Sequence, residues 1–187
     1  MFTPDEVERL LAASTVSDQA PWNCSDEPEI DLHLKRICSK IERKADVLSR
    51  IEWGHYGSGY ASYVDAWFYR SRPEFRLQTC AEENNAFVGL VVLLSRLAPY
   101  FVFMQGHKTW GDKGGSSYMP YSEMLDELTN AAVIQLAGDI EPILERNALK
   151  RLRKTDLVAE LDSKFKVPTI LTHRPFRMFD ALFYWED

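Results

Sequence analysis

Two hydrophobic periods run along this chain, and the places where one gives way to the other divide it into elements. Thr3, Pro4 and Glu6 form a helix start: a hydroxyl that can cap, a proline at the first helical position and a carboxylate that can reach back. The first helix is therefore expected over residues 4–13. Between 29 and 51, Ile30, Leu34, Ile37, Ile41, Ala45, Leu48 and Ile51 recur at three- and four-residue steps. That stripe predicts a long amphipathic helix, opened by Pro28 after the acidic "SDEP". A third helix is expected over residues 82–97. Its apolar residues (Ala86, Phe87, Val88, Leu90 to Leu94) go most of the way round, which marks it as one central buried helix. A fourth starts near Ser122, carries Leu125, Leu128, Ala132 and Leu136 on one face, and is interrupted at Gly138 and Pro142. Shorter helical pieces are expected after Asp139 and after Thr155.

Strands are expected at 60–71, 74–80, 100–105, 168–173 and 177–185, the first rich in aromatics and the third apolar on both faces. Strands come in adjacent pairs instead of alternating with helices. The fold class is therefore α+β, with a mainly antiparallel sheet of about five strands packed against helices. The length suits a single globular domain, 1–187, with an acidic helical part at about 1–51 and an α+β core at about 52–187.

One stretch, 86–104, is long and apolar enough to raise a membrane span. Arg96 sits mid-run and Pro99 breaks it. An unpaired arginine at the bilayer centre costs about 2.5 kcal/mol or more, so a soluble protein is expected, with no membrane partner. With 45% hydrophobic and 27% charged residues, a packed core is expected and disorder is not.

Charge adds an asymmetry. The net charge is −6, and residues 1–31 hold eight acidic residues against Arg9 alone. A polyanion is a poor partner for such a surface, and one protein partner with a basic surface fits it better. The run "RNALKRLRK" (146–154) is basic, but it lacks interleaved aromatics and is read as a solvated helix face pairing with the acidic N-terminal third. Cys24, Cys38 and Cys80 are widely spaced, with no C-x-x-C pair, as in a reduced, cytoplasmic protein. The N-terminus has neither the basic region nor the apolar core of a signal peptide.

Candidate chemistry is sparse. "GHKTWGDKGG" (106–115) holds four of the nine glycines and follows an apolar strand. Gly106 and Gly111 have the spacing of a phosphate loop, yet Asp112 stands where a lysine must contact phosphate and Lys113 comes one residue late. The segment is read as a flexible connector whose functional use is recognition: His107, Trp110, Lys113, Tyr118 and Tyr121 put aromatic and basic groups on it. "WGHYGSGY" (53–60) precedes its strand, so it is a helix stop and turn, not a dinucleotide fingerprint. The four histidines show no metal spacing, and neither metal nor cofactor is expected. Asp65 and Asp180 are carboxylates in aromatic segments, read as solvent-facing or paired with Arg70, Arg76 or Arg177.

Two functions of different class follow. The first is a non-enzymatic cytosolic protein-binding module, of the general character of small bacterial immunity or antitoxin proteins that block one partner. The second is a hydrolase-like enzyme whose site assembles in space from His107, His55, Cys80 and Asp65. A phosphate or nucleotide binder acting through 106–117 is a lesser third.

Overall fold

Thr3 and Glu6 cap each other: the Glu6 N–H donates to the Thr3 hydroxyl and the Thr3 N–H to the Glu6 carboxylate, 2.7 Å away, which starts α1 (Pro4–Leu11). The computed structural model describes residues 2–43, 47–77, 85–112 and 114–187. Asp26 caps α2 (Glu27–Glu42), whose stripe of Ile30, Leu34, Ile37 and Ile41 is buried. The helix does not continue to residue 51. Residues Leu48–Glu52 form β1, because the segment finds a partner strand, β3, to pair with in antiparallel register. Ala45 lies outside the described residues.

The sheet is the frame. β2 (Tyr60–Ala61) is followed by β3 (Tyr63–Tyr69), β4 (Asn85–Ser95), β5 (Tyr100–Trp110) and β6 (Lys150–Arg151). The main sheet has the order β1-β3-β4-β5-β6, antiparallel except for the β5–β6 pair. This is the α+β class expected, with one change at its centre. The expected central buried helix over 82–97 is, over its described part, the central strand β4; residues 82–84 lie outside the described residues. A segment apolar on all sides suits a strand buried on both faces as well as a buried helix, and Val88, Val91, Val92 and Phe87 favour the strand.

Other boundaries moved too. The expected strand at 74–80 is a 3-10 turn at Pro73–Phe75 with one isolated bridge, Arg76 to Phe87; residues 78–80 lie outside the described residues. Residues 168–173 form no strand, and 177–185 is largely α5 (Met178–Leu182), leading to β7 (Trp185–Glu186), which pairs with β2. The helix expected from Ser122 is a 3-10 turn there. α3 begins at Ala131, capped by Asn130, and runs unbroken to Arg146. Pro142 and Gly138, four residues apart, both lie on its exposed face, where water can satisfy the carbonyl that proline leaves free. A last short helix, α4, is Lys154–Leu157.

The two faces of the sheet differ. Phe103 faces α3: Arg151 stacks on its ring and pairs with Glu141 of that helix at 2.8 Å. On the opposite face Gly89 and Gly106 are direct cross-strand partners. A Cβ at Gly89 would lie 2.6 Å from the Trp67 indole and from the Phe68 carbonyl; one at Gly106 would lie 2.3 Å from the Tyr118 ring. The glycine pair is thus a trough in which two aromatic rings lie against bare backbone, and the Trp67 indole N–H donates to the Gly106 carbonyl at 3.1 Å.

Arg96, in the turn between β4 and β5, is 1% exposed. Its five N–H groups reach both carboxylate oxygens of Asp31 (2.8 and 3.2 Å) and the carbonyls of Trp53, Ala61 and Tyr63 (3.0, 2.9 and 2.7 Å). The arginine that argued against a bilayer in the sequence joins α2 to the sheet. Among the described residues no helix is long and apolar enough to cross a membrane. Arg96→Met is expected to destabilise the fold by about 3–5 kcal/mol in urea unfolding, since it strands Asp31 and three carbonyls together. A loss under about 1 kcal/mol would show that these acceptors find other donors.

Candidate functional site

The sequence places a carboxylate, Asp65, in the middle of the aromatic strand β3, and the structure gives it an uncommon setting. It is 3% exposed. Tyr118 donates to one oxygen at 2.5 Å and Tyr56 to the other at 2.9 Å. The Tyr56 hydroxyl lies 3.4 Å from that of Tyr63. No arginine closes on Asp65, so the pairing with Arg70 or Arg76 is replaced by tyrosine donors. Arg70 pairs with Asp139 at 2.6 Å, and Arg76 lies over the Phe87 ring. Loss of water raises the Asp65 pKa, and the Tyr118 hydroxyl, the nearby Lys108 ammonium and the Tyr56 hydroxyl oppose that rise. Burial and the neighbouring carboxylate push Tyr56 and Tyr118 far above the usual phenol range, so both remain donors.

The chain bends sharply to bring Tyr56 here. His55 and Tyr56 both have left-handed backbones, φ 52° and 56°, which non-glycine residues seldom adopt. His55 holds the turn: its Nδ1 accepts the Ala61 N–H at 2.9 Å and its Nε2 lies 3.1 Å from Glu27. Glu52 closes the same turn, its Oε1 accepting from the N–H groups of Gly54 (2.6 Å) and Tyr56 (3.3 Å).

Beside this buried cluster lies an open cleft of about 340 Å³, bordered by Arg50 and Glu52 of β1, Lys108 and Trp110 of β5, and Ser116 and Ser117. Trp110 is half-buried, with the Arg50 guanidinium 3.9 Å from its ring centre and Phe87 stacked behind at 5.6 Å. Trp67 and Tyr69 meet it edge-on.

The glycine-rich segment is therefore not the flexible connector expected. It is strand β5 through Trp110. Gly111 and Gly114 then exchange N–H to carbonyl bonds of 2.9 and 3.1 Å, and the return is bridged at Ser116 to Thr109 and at Ser117 to Lys108. Glycine at 106 serves the Tyr118 ring, not a phosphate. No α-helix follows the segment before α3 at Ala131, so no long helix terminus faces it.

The residues singled out for binding separate on inspection. Trp110 borders the cleft and Tyr121 is exposed. His107 is exposed, but it alternates with Lys108 and so points from the other face of the sheet. Tyr118 is buried with its hydroxyl on Asp65, which removes it from any exposed contact surface. Lys113 lies outside the described residues, as does Cys80. For the enzyme reading, His55 is engaged by Ala61 and Glu27, and His107 and Asp65 lie on opposite faces. Among the described residues no three His, Cys, Asp or Glu side chains come together as a metal site, and His173 is exposed in the C-terminal segment. Asp180 caps α5, accepting from the Arg177 N–H at 2.6 Å.

The basic run is also accounted for differently. Arg151 pairs with Asp126 and Glu141, Arg153 with Glu141 and Lys154 with Glu127, all outside the N-terminal third. Sequence reasoning missed Arg50 because it fell in the expected second helix and Glu52 because it came directly after that helix's expected end. The tyrosine donors carried one weak signal, a lone carboxylate in an aromatic strand.

Comparison with models of known protein families, with curated proteins and with solved structures finds no match.

Asp65 binds its proton more tightly in the folded chain than in the unfolded one. Between the ordinary carboxylate range and its raised folded value, the native state holds an extra proton, and stability falls as pH rises. Asp65→Asn removes that dependence. The unfolding free energy of the wild type minus that of the variant should fall from about pH 4 upward, by at most about 1.4 kcal/mol per unit, and then level off. Urea melts at successive pH values measure it, and a flat difference excludes it.

Proposed function

We propose that this chain is a non-enzymatic protein-binding module of the immunity or antitoxin kind, docking a single partner at the sheet end formed by Arg50, Trp110 and the 110–117 hairpin. The observation that carries the reading is Trp110. Its ring packs against the Arg50 guanidinium, Phe87, Trp67 and Tyr69 beside an open cleft, so little side-chain freedom is lost on contact. A rigid, half-buried tryptophan next to an arginine has the composition and geometry of a binding hot spot.

Charge supports the partner's general character. Asp5, Glu8, Asp18, Asp26 and Glu29 are exposed, and they favour approach of a protein with a basic surface. Cys24 and Cys38 are free thiols, in keeping with a reducing, cytoplasmic setting. The hydrolase-like alternative draws no support from the placement of its described residues, His55, His107 and Asp65. Asp65 has both oxygens occupied by tyrosines, and His55 has both ring nitrogens engaged.

A photo-crosslinking residue at Ser116, in the full chain expressed in its native host, is expected to capture one protein. The same residue at Ile134, exposed on α3, is expected to capture none. Trp110→Ala should lower the Ser116 yield in line with a loss of about 2 kcal/mol in affinity. Arg50→Ala, which leaves the ring in place, should lower it less. Equal capture from both positions, or none from Ser116, overturns the reading.

A further inference from the structure

The cleft differs in charge from the chain that carries it. Of its charged border residues, Arg50 and Lys108 are cationic, and neither has a carboxylate within 4.0 Å among the described residues. Glu52 also borders the cleft and offsets part of this charge, but its Oε1 is turned back onto the Gly54 and Tyr56 N–H groups and neither cation is within 4.0 Å of it. Arg50 lies over the Trp110 ring, its Cζ 3.9 Å from the ring centre, a contact that engages no carboxylate. Lys108 lies 4.7 Å above the Tyr118 ring centre, a contact that makes no use of a carboxylate. Arg151, Arg153, Lys154, Arg96 and Arg70 all have carboxylate partners, whereas Arg50 and Lys108 lie over aromatic rings side by side at one cleft.

The cleft also borders an edge. β1 ends the sheet order, and among the described residues no strand pairs with its outer side. Leu48, Arg50 and Glu52 project from the face that carries Asp65, and Leu48 is 45% exposed. An extended segment laid along β1 would place alternate side chains opposite these three, where opposite charges and apolar pairs stabilise a sheet.

We infer that the cleft takes an extended segment of the partner protein, paired along the outer edge of β1, whose aspartate or glutamate side chain lies between Arg50 and Lys108. The inference rests on the reading of the chain as a protein-binding module and adds the partner's local chemistry: an acid opposite Arg50 with an apolar residue two positions away, opposite Leu48. The partner is basic over its wider surface and acidic at this one anchor.

The test uses the full chain, labelled with nitrogen-15, and three probes: a capped peptide alternating valine and glutamate, its valine–lysine counterpart, and inorganic phosphate. The valine–glutamate peptide is expected to shift the β1 amides and the Trp110 indole resonance. Arg50→Glu, at the surface, and Lys108→Gln, half-buried, should each weaken it about tenfold, with urea melts confirming that each variant is folded. Arg50→Lys keeps the charge without the planar stack and should fall between. Equal binding of the lysine peptide overturns the inference, as does phosphate alone shifting the same resonances, and so does the absence of any peptide response. Those failures leave crosslinking at Ser116 standing, so the partner's chemistry and the module reading fail separately.

Discussion

A single guanidinium holds four parts of this chain in register. Arg96 has no exposed surface to speak of, so each of its N–H groups must find an acceptor inside the protein. It finds them on α2, at the end of β1, on β2 and on β3. An apolar replacement of the arginine and Asp31 alone could not substitute, because three backbone carbonyls depend on the same group. Fixing Trp53 and Ala61 fixes the ends of the turn between them, and that turn contains His55 and Tyr56. The left-handed backbone at these two residues is therefore held from both sides: by Arg96 at its ends, and within by His55 on Ala61 and Glu52 on Gly54 and Tyr56.

The second constraint is the glycine pair. Gly89 and Gly106 let Trp67 and Tyr118 lie directly on the sheet, and Tyr118 in that position reaches Asp65. The same placement draws the chain after Ser117 back over the sheet, which closes the hairpin and forms one wall of the cleft. The cleft's rigidity thus follows from aromatic packing, not from the loop's own sequence. Trp110 is the outermost ring of an aromatic group that continues inward through Phe87, Tyr69 and Trp67.

Class and order of elements were legible where one period dominated. The stripe of α2 and the cap at Thr3 are examples. Legibility failed where burial is two-sided. Residues 85–95 have no polar face in either conformation, so period carries no information and the neighbouring strands decide. It failed again at 48–52, where Leu48 and Ile51 continue the helical step of the preceding stripe, and pairing with β3 selects the strand. Glycine misled in a third way. Gly106 looked like loop punctuation and is a packing site inside a strand, a distinction that depends on a ring twelve residues away. The candidate site suffered most, because Arg50, Glu52, Lys108 and Trp110 come together only when β1 and the hairpin do.

Charge then acts on two length scales, and the cleft lies where they disagree. Ionic screening at physiological salt confines exposed charges to about 8 Å, so on the proposed reading the exposed acidic surplus of the first 31 residues would steer an approaching surface, while the groups lining the cleft set its own chemistry. Inside the cleft, Arg50 and Lys108 act at contact distance, where a charge is screened least, with Glu52 beside them. A partner that is merely basic would be drawn in and then meet like charge at Arg50 and Lys108. One that carries an acid at that point satisfies both fields. On the proposed reading, a wrong partner would be rejected by local repulsion as well as by weak attraction, the more discriminating of the two routes to specificity.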